Sequence, residues 1–272
     1  MELRRGARLV GVVLGGCSSK AEAPAAAVDS TADSTADSSS VAASSGLVGR
    51  WAHYDVVAYQ GATMKTQIIS FGITDFALDG ENLIETDRFC HAEQRSNQPI
   101  ETMISDAATR AIVPVDATVE LTKLASGYRV QRPATPTGVG IRFASPATDV
   151  LPTDPTDPRI VDDDSDGRPG ITVHVKVGVG FEGDIYLARR EIFAYDMTTD
   201  GPDALNGTVK DDSEQLVLGA SLPALAVPSD WKQHPDLTES PILLRRVAAD
   251  VDCEAVVAQR ATLFPPDPAL DY

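Results

Sequence analysis

Apolar and polar residues alternate along much of the chain from residue 47 onward. The clearest run covers residues 171–181, where six successive odd positions are apolar and the positions between them are Thr, His, Lys and Gly. A period of two places alternate side chains on opposite faces of a β-strand. The run therefore predicts a strand with one buried face.

Turn residues between such runs predict hairpins. Glu182-Gly183-Asp184 follows the run above, and residues 185–197 supply a second strand, which together predict a long hairpin. Further hairpins are predicted around Asp79-Gly80, Ser126-Gly127 and Asp211-Asp212. The pattern predicts eight to ten antiparallel strands in a β-barrel or β-sandwich.

One helix is predicted near the C-terminus, with Asp250 or Asp252 as its N-cap. Apolar residues at helical spacing share one of its faces: Val251, Cys253, Val256, Val257 and Leu263. Four prolines within residues 221–241 predict a long ordered loop there. The predicted fold class is mainly β, an antiparallel β-barrel or sandwich with one C-terminal helix, in a single domain over residues 47–272.

The first sixteen residues have the composition of an export signal. Three arginines precede a short apolar run and two glycines, directly before Cys17. Leu14-Gly15-Gly16-Cys17 resembles the lipobox of bacterial lipoproteins, in which the peptidase cuts before the cysteine and that cysteine carries the lipids. The resemblance implies a membrane anchor at Cys17 in the bacterial cell envelope, and Ser18 is typical of outer-membrane lipoproteins. The alternative is a poorly formed cytosolic N-terminus.

Residues 17–46 follow with Ser, Ala, Thr and Asp in near repeats and almost no large apolar side chain. Such a segment cannot offset the conformational entropy of folding, so a disordered tether is predicted. Its reach is on the order of 30 Å for a random coil.

Charge narrows the range of partners. The chain has 23 Lys and Arg against 40 Asp and Glu, for a net charge of -17. This balance argues against nucleic acid and against anionic lipid headgroups as partners, because both are bound through basic side chains. Nothing in the sequence names a protein or small-molecule partner.

The cysteines and one acidic loop supply the remaining chemistry. With Cys17 lipidated, Cys90 and Cys253 are left to form one disulfide, or to remain as two buried thiols. Residues 162–167, Asp-Asp-Asp-Ser-Asp-Gly, match the pattern D-x-D-x-D-G. Carboxylates at alternate positions of a tight turn can converge on Ca²⁺, which takes six to eight oxygen ligands.

This loop resembles the calcium loops of EF-hands and thrombospondin type 3 repeats. The resemblance implies side-chain ligation by Asp162, Asp164 and Asp166 and carbonyl ligation by Arg168, with a structural role for the ion. An EF-hand has Glu at the twelfth position, where this chain has Val173. A carboxylate from elsewhere, such as Asp154, Asp157 or Glu182, would have to complete the shell, or the site is weak. The alternative is a solvated acidic loop.

Three functions are compatible with these features. The leading expectation is a lipid-anchored envelope domain that acts by binding and not by catalysis. The second is a carrier of a small apolar ligand, since Gly49-Arg50-Trp51 resembles the first strand of lipocalins, where the Trp closes one barrel end. The third is an envelope hydrolase. Candidate acid/base pairs for it are His53 with Asp55, Asp87 with His91, and His234 with Asp236.

Overall fold

The computed structural model describes residues 46–62, 64–226 and 231–272. Within these ranges twelve strands form one antiparallel sheet. The strands are β1 Gly49–Gln60, β2 Lys65–Asp79, β3 Asn82–Ser96, β4 Ile100–Ile104, β5 Asp116–Lys123, β6 Tyr128–Val139, β7 Ile171–Val177, β8 Phe181–Thr199, β9 Ala204–Asp211, β10 Glu214–Ala220, β11 Lys232–Gln233 and β12 Pro241–Arg246. The helices are α1 Asp106–Arg110 and α2 Cys253–Leu263, and two 3-10 turns lie at Pro223–Leu225 and Leu237–Glu239. The predicted mainly-β class with a C-terminal helix is confirmed.

Eight strands form a barrel-like ring in the order β1, β2, β3, β5, β6, β8, β9 and β12, and β12 pairs back onto β1. The ring is not evenly closed. The β1–β2 ladder runs along all of β1, whereas β3 and β5 pair only over residues 83–86 of β3. Of the two predicted architectures, the ring corresponds to the barrel.

The long strands β3 and β8 extend beyond the ring and pair there with further strands, which form the second part of the sheet. The far half of β3 pairs with β4, β4 pairs with β7, and β7 pairs with the first half of β8, which β10 flanks. Because β8 is 19 residues long and a strand rises about 3.3 Å per residue, it spans about 60 Å if straight. The acidic loop precedes β7 and therefore belongs to this second part.

Three apolar clusters hold the fold together. One fills the ring around Trp51, Met197 and Leu244. The second lies outside the ring, between β1–β2 and α2, and includes Tyr54 and Val256. The third lies beneath β7, where Val173 and Val175 pack against Ala108 of α1.

The predicted long hairpin is confirmed, but the predicted position of its turn, Glu182-Gly183-Asp184, is wrong. The chain reverses at residues 178–180, and β8 already begins at Phe181. Gly178 and Gly180 have φ of 55° and 83°, a region that favours glycine. Val179 between them is fully exposed and is not part of a buried face.

The predicted hairpins at Asp79-Gly80 and Ser126-Gly127 are confirmed by the β2–β3 and β5–β6 ladders. The hairpin predicted at Asp211-Asp212 is wrong. The chain does turn there between two strands, but β9 pairs with β8 and β12, while β10 pairs with an earlier part of β8.

Helix α2 starts at the predicted cap, where the Asp252 carboxylate accepts from the backbone N–H of Ala255 at 2.9 Å. Cys253 forms the predicted disulfide with Cys90 of β3. Val256 is buried but Val257 is exposed, so Val257 was wrongly placed on the packed face. The proline-rich loop, described except for residues 227–230, contains the two 3-10 turns and the short strand β11.

Neither helix in the described ranges has the length and apolar content required to cross a bilayer. Cys17, the predicted signal peptide and nearly all of the predicted tether lie outside the described residues.

Candidate functional site

The acidic loop brings its three alternate aspartates together. One carboxylate oxygen from each of Asp162, Asp164 and Asp166 lies within 4.8 Å of the others. The loop is closed by backbone bonds between Asp163 and Gly170 (3.0 Å) and between Gly170 and Val161 (2.8 Å). The alternate spacing therefore produces the common point that the sequence predicted, and ion binding there remains a prediction.

Local hydrogen bonds aim these carboxylates. Asp162 accepts from the backbone N–H of Gly167 at 2.9 Å, and Asp166 accepts from the hydroxyl of Thr172 at 2.5 Å. Asp164 Oδ2 accepts from the backbone N–H of Thr172 at 2.8 Å. The other oxygen of Asp164, Oδ1, is buried and has no hydrogen-bond partner.

The electrostatics of the loop favour a cation. Burial raises the pKa of Asp164, and the nearby charges of Asp166 and Asp162 raise it further. A bound cation would reverse the effect of this like-charge crowding, because it stabilises the ionised carboxylates. Three clustered carboxylates, one of which has a buried oxygen without a hydrogen-bond partner, fit the oxygen ligands that Ca²⁺ takes.

Asp163 does not belong to the cluster and instead attaches the loop to the rest of the domain. Its carboxylate accepts from the backbone N–H of Gly140 at 2.6 Å and forms an ion pair with Arg142, so it fastens the loop to the end of β6. The neighbouring aspartates thus divide into one that anchors the loop and three that converge.

The residues suggested to complete a calcium shell are placed elsewhere. Asp154 accepts from Thr156, and Asp157 pairs with Arg159, each within its own turn. Within the described residues, only Asp162, Asp164 and Asp166 group closely enough to hold a metal ion, so Glu182 does not join them either. Arg168 donates its N–H to Asp166 at 2.7 Å, and ligation by its carbonyl remains a prediction.

A groove borders the acidic loop. Its volume is about 390 Å³, and its walls include Met103, Ile104, Asp164, Asp166 and His174. The His174 imidazole is held by Asp184 at 2.9 Å on the neighbouring strand. Sequence reasoning missed this pair. His174 and Asp184 are opposite each other in the β7–β8 hairpin. A correct prediction of the hairpin register would therefore have predicted the pair.

The ring interior contains a second polar cluster. Thr74 donates its hydroxyl hydrogen to Asp87 at 2.6 Å and lies 3.0 Å from Nδ1 of His53. Because that hydroxyl has one hydrogen, Nδ1 must donate to Thr74, which leaves Nε2 as the acceptor of the neutral ring. Nε2 is buried without a partner. A Cβ added to Gly72 would lie 2.5 Å from Nε2, so the ring fits only because residue 72 is glycine.

Carboxyl groups surround this histidine. Asp55 Oδ2 lies 3.9 Å from His53 Nε2 and has no hydrogen-bond partner. Arg132 lies 3.7 Å from Glu85 and 3.5 Å from Asp87. Burial raises the pKa values of Asp55 and Glu85 and lowers that of His53, because the interior disfavours each charged form.

The structure does not support the three histidine–aspartate pairs suggested by sequence as accessible dyads. His53 and Asp55 approach each other only inside the closed ring. Asp87 and His91 are not paired, because His91 bonds Asp106 at 2.7 Å and Asp87 bonds Thr74.

His234 approaches the backbone carbonyl of Asp236 at 3.4 Å, and the Asp236 carboxylate accepts from Thr238. None of the three suggested pairs is therefore a His–Asp dyad open to a substrate.

The Trp51 end of the ring is sealed. Trp51 is fully buried, and its indole N–H donates to the Leu47 carbonyl at 3.0 Å. The guanidinium of Arg246 lies 4.2 Å from the Trp51 ring centroid and donates to the carbonyls of Gly46 and Val48. The predicted role of Trp51 in closing a barrel end agrees with this arrangement.

A second cavity, of about 680 Å³, lies against β3 and β4 over residues 91–104. Like the groove at the acidic loop, it is outside the ring.

Comparisons of the chain with protein-family models, with curated proteins and with solved structures find no match. Functional interpretation therefore depends on the chemistry of the two clusters.

Proposed function

We propose that the protein is a lipid-anchored domain of the bacterial cell envelope that acts by binding, and that Ca²⁺ orders its acidic loop. The calcium part is supported by the convergence of Asp162, Asp164 and Asp166, one of which, Asp164, has a buried oxygen with no hydrogen-bond partner. The anchor rests on the lipobox resemblance at Cys17.

The acidic loop is well placed for a structural ion. It connects the end of β6 to β7, and its charged side chains border the groove beside Met103 and His174. Neutralising the carboxylates would fix the loop against β7 through Thr172, which already bonds Asp164 and Asp166. We expect the ordered loop and groove to form the surface that contacts a partner.

The carrier alternative has one specific observation in its favour, the ring closed by Trp51 and Arg246. An apolar carrier also needs an open apolar cavity. The apolar side chains inside this ring pack against one another, and Met197, Leu205, Val209 and Leu244 have no exposed surface. The filled, partly charged interior favours a binding surface outside the ring over cargo within it.

Thermal unfolding with Ca²⁺ and with chelator tests the calcium part of the proposal. With three carboxylates and no bidentate Glu, we expect millimolar affinity, as in weak extracellular sites. At ten times Kd, the ion would stabilise the fold by about 1.4 kcal/mol. For a domain of this size that corresponds to an increase in Tm of about 3–6 °C.

Asp164→Asn keeps the shape of the side chain and removes its charge, so it should abolish the calcium-dependent shift. Asp154→Asn is the matched control, because Asp154 lies in the same connection between β6 and β7 but its carboxylate accepts from Thr156 and is not part of the cluster. Equal midpoints with calcium and chelator in the native protein would refute the calcium site, and so would a shift that survives in Asp164→Asn.

A further inference from the structure

The ring encloses more acidic than basic groups. Five buried carboxyl groups face its interior: Asp55, Glu85, Asp87, Glu191 and Asp211. Two guanidinium groups accompany them, Arg132 and Arg189. If every carboxyl were ionised, three negative charges would remain unpaired among buried side chains. An isolated buried charge costs far more than a protonated carboxyl, so such groups keep their protons.

The geometry shows which carboxyls lack a counter-charge. Glu191 is paired with Arg189 at 2.7 Å. Glu85 and Asp87 share the single guanidinium of Arg132, at 3.7 and 3.5 Å. Asp55 has no guanidinium: its partners are the Ser70 hydroxyl and, at 3.9 Å, the neutral ring of His53. Asp211 accepts from the hydroxyl of Tyr59 and from the backbone N–H of Ser213.

Unpartnered atoms concentrate at the same place. Both oxygens of Glu85, one each of Asp55 and Asp87, Nε2 of His53 and Nε of Arg132 are buried without a hydrogen bond. These groups come from β1, β3 and β6, on opposite parts of the ring wall. An ionised Glu85 would have no hydrogen-bond donor for either oxygen, and Asp87 has the Thr74 hydroxyl for only one of its two.

We propose that the ring interior is a proton-operated switch, in which protons held by the buried carboxyl groups keep the ring closed and their loss at higher pH loosens the wall formed by β1, β2 and β3. The protons exchange with water when the wall opens locally. The switch is independent of the acidic loop, which lies in the second part of the sheet.

The direction of the effect follows from the pKa shifts. Burial raises the pKa values of Asp55, Glu85 and Asp211 in the folded state. The folded protein therefore holds more protons than the unfolded chain once the pH exceeds about 4, the ordinary carboxyl pKa. Stability falls as the pH rises from there through the folded pKa values. His53 acts in the opposite direction, since its lowered pKa costs stability below about pH 6.5.

The other titratable groups facing the interior do not cancel this trend. Burial raises the pKa values of Tyr59 and Tyr195, so both stay neutral in this range. Arg132 and Arg189 stay charged, with pKa values above the ordinary arginine value. In the described residues, the interior positions of β2 and β5, such as Thr74 and Val119, carry no charge. On β12 the charged residue of that face is Arg246, which covers Trp51 at the end of the ring and is paired with Asp203.

Denaturant unfolding between pH 5.5 and 9, in the presence of chelator, tests the switch. Each proton held by the folded state increases the unfolding constant about tenfold per pH unit. Asp55→Asn and Glu85→Gln keep a neutral side chain of similar shape that has no proton to lose. Each should therefore lower the slope of the logarithm of the unfolding constant against pH by up to one. Asp196→Asn is the control, because Asp196 pairs with Arg129 on the exposed face of β8 and its slope should equal that of the native protein.

Amide hydrogen exchange, corrected for the intrinsic rate, reads out the wall directly. Between pH 6 and 9 the native protein should lose protection in β1, β2 and β3 by at least tenfold more than in β7, and Asp55→Asn should reduce that difference. If one variant does not fold, the other variant still tests the proposal. Potentiometry tests it independently, because refolding of the native protein should take up protons. Stability that rises with pH, or equal slopes in the native protein and both variants, would overturn the proposal.

Discussion

Trp51 shows how a single residue closes one end of the ring. Its indole fills the interior, and Arg246 covers the ring face while donating to two backbone carbonyls of the chain entering β1. A planar guanidinium stacks on an aromatic ring while its N–H groups donate in a fixed fork, whereas an ammonium group is a compact charge that does not stack. Arg246 therefore connects the start of β1 to the end of β12.

Arg246→Ala should lower the free energy of unfolding by about 1–3 kcal/mol, because it removes a cation–π contact and charged hydrogen bonds. Arg246→Lys should recover less than half of that loss, since the ammonium group lacks the planar fork. Urea unfolding measures both. Arg129→Ala, at an exposed ion pair, should cost under about 1 kcal/mol. A loss at Arg246 no larger than at Arg129 would contradict the assigned role.

Among the elements, helix α2 depends most on attachments outside itself. It has eleven residues and one buried apolar side chain, Val256. A helix of this length is marginal in water without tertiary contacts. The disulfide from Cys253 to Cys90, 163 residues earlier in the chain, and the Asp252 cap compensate for this.

Removing the disulfide in a Cys90→Ser, Cys253→Ser double variant should destabilise the protein by up to about 4–5 kcal/mol, the entropy of so long a loop. Hydrogen exchange should increase first in residues 253–263, while the β1–β2 ladder keeps its protection. Asp252→Ala, with the disulfide intact, should cost about 1 kcal/mol. Uniform loss of protection across sheet and helix would show that the bond supports the whole domain.

At the scale of the whole molecule, the domain has two distinct ends. The chain enters β1 beside Trp51, and the last residues of β8 lie at that end because Thr199 pairs with Leu205 of β9. The start of β8, with the exposed tip at Val179, extends away from it. The acidic loop and the groove therefore lie on the part of the sheet that is remote from the point where the chain enters β1.

Membrane fractionation of the full chain tests the proposed anchor at Cys17. Cys17→Ser should move the protein from the membrane to the soluble fraction, because the lipidated side chain is gone. In a two-membrane host, Ser18→Asp should retain the lipid and shift the protein from the outer to the inner membrane, which separates anchoring from sorting. A Cys17→Ser form that stays with the membranes would remove the anchor from the proposed function.

The candidate sites differ in how much of them a sequence can predict. Asp162, Asp164 and Asp166 converge through contacts spanning a few residues, so their spacing was sufficient. Of the ring cluster, the sequence suggested only the pair His53 and Asp55 and assigned Asp87 to another partner, because Glu85 and Asp87 could face either side of β3 by sequence alone. The partner of His91 was missed because Asp106 meets it only through the packing of α1 on β3.

The sequence by itself determined the features that depend on neighbouring residues: strands from alternation, two hairpins from Asp79-Gly80 and Ser126-Gly127, and a helix from its Asp252 cap. The tertiary structure decided which strands pair over long distances, as when β9 and β10 both join β8 instead of each other. It also decided which charges became buried. Both depend on ring closure, which joins residues far apart in the chain, and no local pattern records that geometry.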